Sequence, residues 1–173
     1  MTPSHIGGAA YGGTPGEPDA ESIAAQLRDA LARWASGVTI VAARESAGRV
    51  AATTVTAFCP VSLEPPLVLV CLHSDAVVTP AVLHSGRFTV SILGQSRRRL
   101  ASAFADRFGT APAAFTATPD PFVDDALAAL ICAVEQTHPG GDHHIVVGRV
   151  EQVRPGRLSD PLIRYRRDYR VLG

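Results

Sequence analysis

The chain has 173 residues, a mass of 18.1 kDa and a hydrophobic fraction of 46%, which suits one domain with its own core and excludes disorder throughout. Its formal net charge of +0 argues against a dedicated nucleic-acid surface. All sixteen basic residues are arginine, which removes Schiff-base and lysine-base chemistry.

Residues 1–20 hold eight glycines and prolines with no apolar period, and read as a disordered or extended tail ahead of one domain over 21–173. A helix follows, capped by Ser22, with Ile23, Leu27, Ala30, Leu31 and Trp34 at helical spacing on one face. After Gly37 the period becomes two. Residues 38–43 and 49–58 read as strands joined by a turn at Ser46-Ala47-Gly48, and 67–72 as a strand buried on both faces. Thr79 reads as an N-cap and Gly86 as the residue past the end of a helix over 80–85. The open N–H groups of that helix, with Ser74 and Thr79 nearby, fit an anion site; a plain connector fits the same spacing.

Residues 88–93 read as a strand, and Ser96 as the cap of a helix through Phe104 whose three arginines form a solvated face. Little periodicity runs from 106 to 122, where Pro112, Pro119 and Pro121 break helices. Strand-like stretches at 126–135, 144–153 and 165–172 complete a set of six or seven. Without a strand-helix-strand alternation, these predict a mainly β antiparallel barrel with peripheral helices. No apolar run approaches the ~18 residues of a membrane helix. No charged signal start precedes Arg28, and the three cysteines, Cys59, Cys71 and Cys132, read as reduced thiols of a cytoplasmic protein.

The densest polar cluster is His138-Pro-Gly-Gly-Asp-His-His144. Its spacing matches no zinc pattern, and adjacent histidines on a strand point to opposite faces, so no metal is assigned. One histidine entering a pocket at the barrel mouth, with Asp142 fixing the turn, fits the chemistry; a structural histidine also fits. No serine elbow and no dinucleotide fingerprint occur. Beyond residue 148, seven arginines face three acids, a surplus that reads as a solvated rim, with a 2′-phosphate or an acidic partner as alternatives.

Several blocks in order resemble one family. They are Arg33-Trp-Ala-Ser-Gly-Val-Thr-Ile-Val41, Ala52-Thr-Thr-Val-Thr-Ala-Phe58, Val61-Ser-Leu-Glu-Pro-Pro-Leu-Val-Leu-Val70 and Ser85-Gly-Arg-Phe-Thr-Val90. Leu100-Ala-Ser-Ala-Phe104, Gly141-Asp-His143 with Ile145-Val-Val-Gly148, and Pro161-Leu162 follow. Together they resemble the short-chain flavin reductases, the reductase components of two-component monooxygenases, over about residues 27–172. The resemblance implies a six-stranded Greek-key split barrel, homodimeric, that binds FMN or FAD and takes a hydride from NADH or NADPH. It implies that reduced flavin passes to a separate monooxygenase. It further implies that Thr53, Thr54, Val55, Thr56, Ala57, Cys71, Leu72, His73, Ser74, Thr79 and Phe104 hold the flavin, with Ser74 and Thr79 at its phosphate. His143 would face the nicotinamide as the catalytic residue. The chain departs from the family pattern over 109–118 and at Pro60, where a serine is frequent.

Overall fold

The computed structural model describes residues 20–105 and 115–172; the tail expectation for 1–19 and the aperiodic stretch 106–114 lie outside them. Helix α1 (Ala20–Leu31) leads into the short strand β1 (Ser36–Gly37) and then β2 (Thr39–Arg44), β3 (Val50–Val55), β4 (Phe58–Leu63) and β5 (Pro66–His73). Helix α2 (Val78–Ser85) and β6 (Arg87–Ile92) come next, then a 3-10 turn at Gln95–Arg97 and α3 (Arg98–Ala103). The long hairpin β7 (Ala128–Gly140) and β8 (His143–Pro155) precedes β9 (Ile163–Tyr165) and β10 (Asp168–Arg170).

Seven strands form one antiparallel sheet in the order β3-β2-β6-β7-β8-β5-β4, and β1-β9-β10 form a small second sheet. The main sheet thus has one strand more than the six expected. Its two edges, β3 and β4, are consecutive in the chain and separated only by Thr56 and Ala57. Two residues cannot carry the chain far, so the sheet must curl until its edges nearly meet. No ladder joins β3 to β4; instead the Cys71 N–H donates to the Ala57 carbonyl at 3.0 Å. The barrel is closed in shape and split in hydrogen bonding, with Thr56 and Ala57 at the split.

Strand β2 is buried on both faces, which its run Thr-Ile-Val-Ala-Ala allows. Val41 and Ala43 enter the barrel core with Val70, Phe88, Val90, Cys132 and Val146. Val38, Ile40 and Ala42 enter a second core with Leu93, Leu100, Phe104, Leu162 and Tyr169, beneath α3 and the small sheet.

The structure corrects several expectations. The strand read over 49–58 ends at Val55, where the β2 ladder stops, and a separate strand restarts at Phe58. Strand β4 carries Pro60 without penalty to pairing because it is a sheet edge with a bulge between Pro60 and Ser62. Strand β5 is not buried on both faces: Val68, Val70 and Leu72 point inward while Leu69, Cys71 and His73 are half-buried on the other side. Helix α1 exists, but its apolar face is not packed on the core; Ile23, Leu27, Leu31 and Trp34 are all exposed. Helix α2 begins one residue before Thr79, after Val77, with no side-chain cap, because the Thr79 hydroxyl is engaged elsewhere. Ser96 caps nothing, since Gly94 starts the 3-10 turn. The stretch 165–172 is broken into β9 and β10 by a turn at Arg166-Arg167.

Candidate active site at the split of the barrel

A cleft of about 260 Å3 opens at the split. Thr53, Thr54, Val55, Thr56 and Ala57 form one wall, and Cys71, Leu72 and His73 another. Asp142, His143, Ala76 and Ala105 complete it. Larger hollows exist, including one of about 700 Å3 beside Asp124, Asp125 and Arg157, so volume alone does not choose the site. Chemistry does. Because the β3 ladder ends at Val55, the backbone N–H groups of Thr56 and Ala57 have no partner among the described residues, and both residues are exposed. Two free donors on a short link are a ready contact for a polar, electron-rich ring edge.

The β3 end is held by neighbouring backbone. The Thr54 N–H donates to the Phe104 carbonyl at 2.9 Å, the Thr53 hydroxyl donates to the same carbonyl, and the Thr54 hydroxyl donates to the Ala101 carbonyl at 2.8 Å. Phe104 itself does not line the cleft. Its ring is buried in the second core, edge-on to Phe115.

The opposite wall is built by register. His73 pairs with His143 and Cys71 with Ile145 across β5 and β8, so these side chains share one face; Leu72 and His144 share the other. Asp142 is the second residue of the β7–β8 turn, and Gly141 before it has φ +69°, the positive value that a two-residue turn opening on glycine requires. That tip projects Asp142 and His143 over the cleft. His143 Nδ1 lies 2.7 Å from Asp142 Oδ1, and the two histidine rings meet edge-to-face with centroids 5.0 Å apart. His73 Nδ1 accepts the Asp75 N–H at 3.0 Å, which in a neutral ring leaves the proton on Nε2, 3.7 Å from Asp142 Oδ2. The hydrogen bond from His143, then the charges of His143 and His73, hold the Asp142 carboxyl below its ordinary range. Burial pushes the Cys71 thiol up, so that wall presents a neutral thiol.

Of the expected residues, nine come together here: Thr53, Thr54, Val55, Thr56, Ala57, Cys71, Leu72, His73 and His143. Ser74, Thr79 and Phe104 stand behind the wall. The Ser74 N–H and hydroxyl both donate to the Asp142 carbonyl, and the buried Thr79 hydroxyl donates to the His73 carbonyl at 2.7 Å. The Ser74 protons staple the β5–α2 corner to the β7–β8 tip, and the Thr79 proton ties α2 back to the end of β5. The sequence reading placed Asp142 only in the turn and did not single out Ala76 or Ala105, whose small side chains leave room beside the free amides. Among the described residues no three histidine, cysteine or acidic side chains gather as a metal site, and no helix is long and apolar enough to cross a membrane.

The small alanine walls, the free amides and the His143–Asp142 pair fit a planar ring with a polar edge and a second ring above it. Comparisons with known proteins agree. The family described as the flavin reductase like domain matches residues 31–173. The chain is 43% identical over 149 residues to the reductase component of 4-hydroxyphenylacetate 3-monooxygenase from Thermus thermophilus, covering 84% of this chain and 95% of that protein. It is 36% identical over 150 residues to the actinorhodin polyketide dimerase of Streptomyces coelicolor, covering 84% and 85%. The solved NADH:FAD oxidoreductase of Streptomyces globisporus, in complex with NAD and FAD fragments, superposes with a TM-score of 0.79 at 29% identity, over 91% of this chain and 97% of that one. On its family match, its identity to these relatives and its fold, this chain belongs to the flavin reductase like domain family.

Proposed function

We propose that the protein is an NAD(P)H-dependent flavin reductase that takes a hydride from NADH or NADPH onto FMN or FAD and supplies reduced flavin to a separate monooxygenase. The observation that carries this reading is the pair of amides at Thr56 and Ala57, which have no partner among the described residues, set in a cleft whose opposite rim bears His143. The flavin, when bound, supplies the hydride acceptor. The chain's part is to hold and orient. Thr56 and Ala57 donate to the ring's polar edge, the end of β3 and Cys71, Leu72 and His73 line its faces, and His143, fixed through Nδ1 by Asp142, faces the nucleotide side. Ser74 and Thr79 act by fixing the corner on which the flavin phosphate would rest.

Residues 21–173 are read as one flavin-reductase domain behind the 1–20 tail, and the setting as the cytoplasm, consistent with three free thiols. We assign a homodimer, in which a second copy covers apolar side chains left in solvent, such as Ile23 and Leu27 on α1 and Val61 and Leu63 on the β4 edge. A solution mass of twice 18.1 kDa is the check.

The decisive assay crosses NADH and NADPH with FMN, FAD and riboflavin. Nucleotide oxidation that requires added flavin is expected; none with either nucleotide overturns the proposal. A second reading is a flavin-binding member without nucleotide turnover, or one turned to a non-redox biosynthetic step; the relationship to a polyketide dimerase bears on the biosynthetic setting alone. Flavin that binds tightly while its spectrum stays unchanged with NADH would select that reading.

A further inference from the structure

Three side chains meet at the rim of the cleft: His73 from the end of β5, and Asp142 and His143 from the β7–β8 tip. Their exposure falls in steps. The Asp142 side chain is 75% exposed, that of His143 39% and that of His73 16%. His73 is the fixed member of the group. The Thr79 hydroxyl donates to its carbonyl and the Asp75 N–H donates to its Nδ1, so both backbone and ring are held. The Ser74 N–H and hydroxyl hold the Asp142 carbonyl, which ties the tip to the same corner.

These contacts set the protons. An ionised carboxylate only accepts, so Asp142 Oδ1, 2.7 Å from His143 Nδ1, places the proton of a neutral His143 on Nδ1 and leaves its Nε2 with a lone pair. His73 is the reverse. Its Nδ1 accepts, so a neutral ring carries its proton on Nε2, 3.7 Å from Asp142 Oδ2. That spacing is beyond a hydrogen bond and within reach of electrostatic attraction. Asp75 Oδ2 stands 4.0 Å from His73 Nδ1. Asp142 thus turns one oxygen to each imidazole, and the two rings meet edge-to-face. An exposed carboxylate with one partner turns easily, because such surface pairs are weak. A second partner, largely buried and fixed by backbone, removes that freedom.

We propose that His73 is a positioning residue for flavin reduction: through Asp142 it fixes the His143 ring, so that the His143 proton stays on Nδ1 and Nε2 is left for the nucleotide side. The inference rests on the flavin-reductase reading and gives His73 a part beyond lining the flavin. A wall residue needs only a ring of the right size. A positioning residue needs the Nε2–H, because that dipole draws the second Asp142 oxygen and leaves the first for His143. A donor held in place by backbone contacts needs no rearrangement when the cleft is filled.

The test compares the wild type with His73→Phe, which keeps a ring and loses the donor, and with His73→Gln, whose side-chain amide reaches the place of Nε2. At saturating FMN, flavin reduction should slow a few-fold in His73→Phe and stay within about twofold of wild type in His73→Gln. Because His73 works through Asp142, the double variant His73→Phe/Asp142→Asn should be no slower than Asp142→Asn alone. Multiplied losses overturn the inference, as do a wild-type rate in His73→Phe and a glutamine variant as slow as the phenylalanine one. Imidazole nitrogen-15 spectra at about pH 8, where an ordinary histidine is neutral, give a readout independent of turnover. The wild type should show His73 protonated on Nε2 and His143 on Nδ1, with part of His143 passing to its Nε2–H form in His73→Phe and none in His73→Gln. His73 protonated on Nδ1, or an unchanged His143 in the phenylalanine variant, overturns the inference. Should His73→Phe fail to fold, the wild-type tautomers and the rate of His73→Gln decide in the same way. A wild type that reduces no flavin with either nucleotide would instead strike the function proposed above and the kinetic arm with it, while the spectra still show whether His73 orients His143.

Discussion

Strand β8 passes through two regions that treat space in opposite ways. At its middle, Gly148 lies against the Phe88 ring and Cys132 in the barrel core; a methyl at that glycine would overlap the ring, with Phe88 Cε1 at 2.7 Å and Cys132 Cβ at 3.1 Å. Five residues earlier, roughly 17 Å along the strand, His143 overlooks a cleft edged by Ala57, Ala76 and Ala105. In the core, the missing side chain is filled by a neighbour. At the mouth, small side chains leave room that no neighbour among the described residues fills, and the nearby amides have no partner among those residues. The difference separates what holds this barrel together from what it can bind, and the two should respond to substitution independently.

The largest expected effect tests the packed half. Gly148→Ala forces the Phe88 ring off its position and should lower unfolding free energy by about 3 kcal/mol, the upper end for overpacking a core. Urea unfolding measures it, and the folded fraction should keep its flavin affinity. A neutral substitution would mean that the core yields and that the contrast with the mouth is overstated.

His143→Ala tests the open half. The side chain is partly exposed and its ring partners are Asp142 and His73, so its loss should leave the fold and flavin Kd nearly unchanged. Flavin reduction should slow about 10- to 100-fold, below the full range for a proton-transferring group because orientation is the main loss. Stopped-flow reduction beside a thermal melt separates the outcomes. An unfolded variant would make His143 a structural residue and join the two regions that the comparison sets apart.

The same contrast explains what could be read in the chain. Strands β2 and β6 and the hairpin β7–β8 show in their runs of apolar and β-branched residues because burial in the barrel calls for them, and the order of blocks from Arg33 to Leu162 is enough to indicate the split barrel. The nine cleft residues followed from that order. What escaped reading depends on distant contacts. The break at Thr56-Ala57 is invisible in a run of β-formers because the end of the β2 ladder, not the residue type, stops the strand. Thr79 looks like a cap, yet tertiary structure gives its hydroxyl to the His73 carbonyl. The α1 stripe is apolar with the right period, but periodicity says that a face is apolar, not what covers it. Asp142 was legible as a turn residue; its position between two imidazoles needed the pairing of β5 with β8.

The smallest effect on stability, and the finest probe of the mouth, concerns Asp142. Its carboxyl is held below the ordinary range by the His143 hydrogen bond and then by the charges of His143 and His73. A carboxyl lowered in the folded protein stabilises fully above its unfolded value, near 3.9, and that contribution is lost as pH falls through the lowered value. Because the side chain stands in solvent, Asp142→Asn should leave the melting temperature at neutral pH unmoved and act on chemistry alone. An amide still accepts a hydrogen bond but brings no charge, so flavin reduction should slow a few-fold, less than in His143→Ala, and the difference should shrink as salt screens the wild-type pair. Carbon-13 titration of the Asp142 carboxyl reads the shift directly. A carboxyl titrating at or above the ordinary value would dissolve the pair, and an asparagine variant as slow as the alanine would show that charge, not orientation, is what His143 takes from its neighbour.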